Sequence, residues 1–146
     1  MIRDLETILK ISYKVYQKFG IKFAYLFGSL AKEDPKYTDI DIAILFQNQF
    51  LDQVEEFEQA TSFKDYLEKN NVFEQKLEVV SLGSANPLFR FEAIKPGKIL
   101  FAQDIEERIA FELRVIREYE DYRAKSRIYE KVLREKLASK LQGDKL

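Results

Sequence analysis

The sequence predicts an α/β fold, a sheet of about four strands with packed helices and a long C-terminal helix. Three observations carry that prediction. Residues 22–27, 39–46, 76–82 and 98–102 are short apolar runs of strand length. Residues 2–19, 51–69, 86–94 and 104–141 have the spacing or the composition of helices. Apolar residues make up 46% of the 146, enough for a core and too many for a disordered chain. One domain over residues 1–146 is expected, with a core over about 1–102 and a helical extension over about 104–141.

Each element has a local cause. Ile2, Leu5, Ile8, Leu9, Val15, Tyr16 and Phe19 recur at helical intervals, and Gly20 offers a stop. Lys22 to Phe27 is the first strand, ended by Gly28-Ser29, where Ser29 is placed to cap a short helical turn reaching about Lys32. Asp34-Pro35 breaks the chain, because the residue before proline disfavours helix. Asp39 to Phe46 is the second strand. Leu51, Val54, Phe57, Phe63, Tyr66 and Leu67 then alternate with acids as in a helix. Lys76 to Leu82 is the third strand, with Leu77, Val79 and Ser81 on one face and Glu78, Val80 and Leu82 on the other. Asn86 to Ile94 suits a short helix with Pro87 at its first position; Pro96-Gly97 is a turn, and Lys98 to Ala102 the last strand. From Asp104 to about Leu141 no Pro or Gly interrupts a strongly helix-forming stretch. Its polar run Arg123-Ala124-Lys125-Ser126-Arg127 reads as a break or a projecting end, and Tyr119, Tyr122 and Tyr129 read as a partner-docking face or as packing on the first helix.

The absences bound the chemistry. There is no Cys, which excludes disulfides and thiolate-held metals, and no His, which excludes imidazole ligands and Ser-His-Asp or Cys-His catalysis. Catalysis is left to carboxylates, Ser, Lys, Arg, Tyr or a bound metal. A formal net charge of −1 gives no whole-chain sign of direct nucleic-acid binding. Charge is uneven, however: residues 123–146 hold eight Lys/Arg against three Asp/Glu, and residues 47–78 reverse those counts. The basic end suits an acidic partner or RNA, and equally a solvated helix face. The start Met1-Ile2-Arg3-Asp4-Leu5-Glu6 is too acidic for a signal peptide, and no apolar run is long enough to span a bilayer. A soluble, cytoplasmic chain with no membrane partner is expected.

The most informative stretch is Leu26-Phe27-Gly28-Ser29-Leu30-Ala31-Lys32, followed after a Pro35-centred loop by Thr38-Asp39-Ile40-Asp41-Ile42. Alternation puts Asp39 and Asp41 on one face of the strand and Ile40, Ile42 and Ile44 on the other. Two adjacent carboxylates repel each other and resist desolvation, and a hard divalent cation such as Mg²⁺ relieves both problems with oxygen ligands. The turn leaving a strand and opening a helix presents main-chain N–H groups to a phosphate; Gly28 lets the anion approach and Ser29 adds a hydroxyl. Glu78, on a neighbouring strand, is positioned to complete a carboxylate triad. Taken singly, Gly-Ser is an ordinary turn and Asp-x-Asp a solvated edge; their order and setting distinguish them. Arg90 is read as a phosphate contact or, more simply, as a solvated surface residue.

This series of residues resembles the Gly-Ser…Asp-x-Asp signature of the DNA polymerase β-like nucleotidyltransferases, and within them the minimal nucleotidyltransferase (MNT) antitoxins that accompany HEPN-domain toxins. Leu77-Glu78-Val79-Val80-Ser81-Leu82 is similar to the family's third-carboxylate strand, and Asn86-Pro87-Leu88 with Gly97-Lys98-Ile99-Leu100 to its short helix and closing strand. Glu78 stands where the family usually has Asp, and Lys32-Glu33 where many members have Arg-Gly, so positive charge near a triphosphate falls to Lys32 or Lys36. The resemblance implies a mixed sheet and Mg²⁺-dependent transfer of AMP from ATP to a tyrosine hydroxyl of a HEPN ribonuclease toxin, which silences it. It implies that Gly28, Ser29 and Lys32 hold the nucleotide, and that Asp39, Asp41 and Glu78 are the catalytic, metal-binding carboxylates. Two alternatives stay open: transfer to a small molecule such as an aminoglycoside, and an antitoxin that acts by binding alone.

Overall fold

The computed structural model describes residues 2–95 and 97–144. Along the chain come α1 (Arg3–Leu9), α2 (Tyr13–Lys18), β1 (Ile21–Phe27), α3 (Gly28–Ala31), β2 (Asp39–Phe46), α4 (Gln53–Asn70), β3 (Lys76–Ser81), α5 (Pro87–Ile94), β4 (Lys98–Ala102) and α6 (Ile105–Asp144). The strands form one mixed sheet in the order β3-β2-β1-β4. β1 runs antiparallel to β2 and β4, and β2 runs parallel to β3. Connection length explains the directions. Only α3 and a short loop join β1 to β2, whereas β2 reaches β3 through α4, the kind of crossover a parallel pair requires. In the short loop, the Asp34 side chain accepts from the Lys36 N–H at 2.9 Å and its carbonyl from the Tyr37 N–H at 3.1 Å, turning the chain around Pro35.

Strand alternation divides the core between the two faces of the sheet. Ala24 and Leu26 of β1 and Ile40, Ile42 and Ile44 of β2 pack with Leu5, Ile8 and Tyr16 of the first two helices and Phe63 and Leu67 of α4. On the other face Phe23, Tyr25 and Ala43 meet Ala93 and Ile94 of α5 and Phe111 and Val115 of α6. The three β2 isoleucines are fully buried, each stabilising the fold by about 1.5–3 kcal/mol. A one-residue slip of β2 would exchange them for Asp39 and Asp41, losing that burial and desolvating two carboxylates. The facing of β2 is therefore strongly determined.

Several expectations are corrected. The helix read over 2–19 is two helices, because the chain breaks after Leu9 and Ser12 caps α2 by accepting from the Lys14 N–H at 3.2 Å. α4 opens with Asp52 and Glu55 in a capping box, but its first turns do not bury the expected residues: Val54 and Phe57 are 65% and 72% exposed, while Glu56 is buried. α6 runs through residues 123–127 without a break, since Ala, Lys and Arg are good helix formers; of the two readings, the run belongs to an exposed, projecting end of the helix. Tyr119 stacks on Phe91 of α5 at 3.9 Å and not on the first helix, while Tyr122 and Tyr129 are exposed. Pro87 opens α5 as expected, the Asn86 side chain caps it by accepting from the Phe89 N–H at 2.8 Å, and the Pro96 half of the expected turn lies outside the described residues. Among the described residues no helix is long and apolar enough to cross a membrane.

Gly97 sets the distance between α5 and the sheet. A Cβ there would lie 2.3 Å from the Ala93 carbonyl oxygen and 2.9 Å from that of Leu26, and main-chain atoms cannot yield cheaply. Gly97→Ala is expected to lower stability by about 1–3 kcal/mol. Denaturant unfolding checks this, and an unchanged midpoint would contradict the tight spacing.

Candidate active site

The last residue of β1, Phe27, pairs across the sheet with Asp41, so the Gly28-Ser29 turn leaves β1 beside that carboxylate. Gly28 has φ 76°, in the left-handed region that glycine adopts without strain. A Cβ on Gly28 would lie 2.5 Å from Asp41 Oδ2. The absent side chain thus makes room first for the Asp41 carboxylate, which the short loop returns to the turn. Ser29 is not the helix cap that was expected: α3 begins at Gly28 with Phe27 in the cap position, and no side chain caps it. Ser29 lies partly buried within the turn, and Lys32 is exposed at the turn's far end.

β2 carries Asp39 and Asp41, and the parallel register sets Lys76 beside Asp39 and Glu78 beside Asp41. All three carboxylates are partly buried. Burial, and then the neighbouring charges of Glu78 and Asp39, push the Asp41 pKa above its ordinary 3.8. Lys76 Nζ pairs with Glu78 Oε1 at 3.2 Å, and Thr38 Oγ1 donates to Asp39 Oδ2 at 3.4 Å. Among the described residues no three acidic side chains are already drawn together into a metal-ligating cluster. What the backbone provides is a shared face. Its oxygen-only donors suit a hard divalent cation, and the repulsion felt by Asp41 is the cost such a cation would remove.

Lys76 is the neighbour that sequence reasoning missed, although its two-residue spacing from Glu78 already placed both on one strand face. Arg90 is not a free surface residue. Its guanidinium donates to the Leu82 carbonyl at 2.8 Å, the Gly83 carbonyl at 2.8 Å and Glu118 at 3.1 Å, joining α5 to α6 and the end of β3. The groove of about 420 Å³ beside Phe91, Ile116 and Tyr119 likewise belongs to the α5–α6 joint and not to the carboxylate face.

The raised Asp41 pKa has a measurable consequence. The folded chain holds this proton more tightly than the unfolded one, so the associated stabilisation is complete below pH 3.8 and is lost as pH rises through the higher folded value. Asp41→Asn is expected to stabilise the metal-free protein at neutral pH, with the gain fading toward pH 3.8. Thermal melts of parent and variant across this range check the sign; a destabilised variant at neutral pH would contradict it.

Comparison with known proteins agrees with this architecture. The sequence profile described as "Polymerase beta, Nucleotidyltransferase" matches residues 9–106. No curated protein sequence matches. Among solved structures, the chain is similar to one from a complex of tri-AMPylated Shewanella oneidensis HEPN toxin with MNT antitoxin, at 25% identity and a TM-score of 0.61, covering 89% of this chain and 98% of that one. A toxin–antitoxin structure with AMP-PNP aligns at 23% identity and a TM-score of 0.61, covering 84% and 99%. The toxin–antitoxin MntA-HepT structure aligns at 23% and 0.60, covering 88% and 98%; these two show a shared fold. With two thirds of its length, including the Gly28 turn and all three carboxylates, inside the profile match, this chain belongs to the polymerase β-like nucleotidyltransferase family.

Proposed function

We propose that this chain transfers AMP from ATP, with Mg²⁺, to a tyrosine hydroxyl of a HEPN ribonuclease toxin, and so serves as its antitoxin in the cytoplasm. The observation that carries the reading is the meeting of the Gly28 turn with Asp41, beside Glu78. Main-chain N–H groups of the turn and the Ser29 hydroxyl donate to the triphosphate, and Lys32 adds positive charge nearby. Asp39, Asp41 and Glu78 would hold the metal, which when bound would neutralise the triphosphate and favour departure of pyrophosphate. The acceptor's phenolic oxygen bonds to the α-phosphorus as the bond from that phosphorus to its bridging oxygen breaks. Pyrophosphate leaves with the electron pair, and the phenolic proton passes to Glu78.

The Shewanella oneidensis complex, whose HEPN toxin is tri-AMPylated, supports a HEPN toxin as the AMP acceptor and partner. An added AMP brings bulk and negative charge that would repel an RNA backbone. The basic end of α6, with Tyr129 68% and Leu137 52% exposed, is our choice of docking surface for the toxin.

Two experiments test the reading. Incubation with the cognate toxin, ATP and Mg²⁺ is expected to add one or more AMP masses to a toxin tyrosine, and none with the Asp39→Asn/Asp41→Asn double variant. Intact-mass spectrometry decides: an unmodified toxin still neutralised by the double variant would make this chain a binding antitoxin, and transfer to an aminoglycoside instead would make it a small-molecule enzyme. Glu78→Gln is expected to slow single-turnover transfer by roughly 10²–10⁴-fold while leaving ATP binding largely intact. An unchanged rate would remove Glu78 from the mechanism.

A further inference from the structure

Asp4, in the first turn of α1, is a fully buried carboxylate outside the site. Its Oδ1 accepts from the Glu74 N–H at 2.8 Å; its Oδ2 accepts from the Gln75 N–H at 3.1 Å and from the Tyr37 hydroxyl. An unpartnered buried carboxylate costs several kcal/mol, and three donors offset that cost. Arg3 and Glu74 pair at 3.5 Å on the exposed side of the same junction, a contact that contributes little.

These bonds reach the beginnings of both carboxylate-bearing strands. Tyr37 stands two residues before Asp39, and Gln75 immediately before β3 and three residues before Glu78. A one-residue slip of β3 against β2 is already forbidden, because it would expose Leu77 and bury Glu78. A two-residue slip keeps every side chain on its own face, and it would put Lys76 or Val80 beside Asp41 in place of Glu78. β3 is an edge strand bonded to β2 alone, so no second strand prevents that slip.

We propose that Asp4 is the positioning residue of the carboxylate face: through Tyr37 on one side and the Glu74 and Gln75 amides on the other, it sets the β2–β3 register that places Glu78 beside Asp41. The inference rests on the reading of Asp39, Asp41 and Glu78 as metal ligands. Asp4 touches no substrate and acts only through the strands it ties.

The test uses the full chain with Tyr37→Phe, which removes one donor and keeps the ring, and Asp4→Asn, which replaces one acceptor oxygen with an amide donor facing donors. At a temperature where circular dichroism shows each variant folded, Mn²⁺ binding is measured by the electron paramagnetic resonance of the free ion. Amide hydrogen exchange and the Mg²⁺ dependence of AMP transfer are followed in parallel. Both variants are expected to bind Mn²⁺ roughly 10–100-fold more weakly and to need correspondingly more Mg²⁺ for half-maximal transfer. Exchange should quicken over 76–81 and not over 21–27, and excess Mg²⁺ should recover transfer in Tyr37→Phe. If Asp4→Asn does not fold, Tyr37→Phe decides alone. A lowered melting temperature with parental Mn²⁺ affinity, Mg²⁺ midpoint and exchange over 76–81 would overturn the proposal. If the parent binds Mn²⁺ no better than Asp39→Asn/Asp41→Asn, the ligand reading fails instead, and exchange over 76–81 still decides whether Asp4 holds the register.

Discussion

Strand β2 buries Ile40, Ile42 and Ile44 completely, and the rest of the structure depends on that burial. Because side chains alternate, the same constraint sends Asp39 and Asp41 together to the opposite face. There β1 delivers the Gly28 turn against Asp41, and β3 delivers Glu78. Hydrophobic burial on one side of the sheet thus produces charge concentration on the other. The energy that holds two repelling carboxylates side by side comes from three isoleucines on the opposite face.

Asp4 and Asp41 are enclosed to different degrees, and their surroundings separate their roles. Asp4 is wholly enclosed, yet three donors saturate it, which makes it a structural tie. Asp41 is only partly enclosed, and its neighbours include two further carboxylates, so burial and repulsion both act against its charge. One carboxylate has its counter-partners within the fold; the other is left wanting a cation. Lys76, paired with Glu78, supplies part of that missing positive charge in the chain by itself.

α6 serves two purposes along one helix. Its first half closes the second core layer through Phe111 and Val115, and is tied to α5 by the Phe91–Tyr119 stack and the Arg90–Glu118 pair. Its second half continues with Ile128, Tyr129, Leu133 and Leu137 exposed among basic residues. A solitary helix of that composition gains little from exposed apolar side chains, and a partner surface would cover them. This suits a chain whose proposed substrate is another protein.

Much of the fold and most of the candidate site were legible in the sequence, because alternation, turn residues and caps are local. The four strands, the Asn86-Pro87 start of α5 and the shared face of Asp39 and Asp41 all follow from residues within a few positions of one another. Tertiary structure decided what depends on distant neighbours. Val54 and Phe57 have helical spacing, but no layer lies over them, so they stay in solvent while Glu56 turns inward. Ser29 suits a helix cap, but the turn forms one residue earlier, where Gly28 takes the left-handed conformation beside Asp41. Arg90 and Tyr119 were ambiguous because their partners, Glu118 and Phe91, lie nearly thirty residues away. Sequence alternation determined that Glu78 shares a face with Val80 and Leu82. That Glu78 stands beside Asp41 was settled only by the register of two parallel strands, and register is a relation between segments that no single segment encodes.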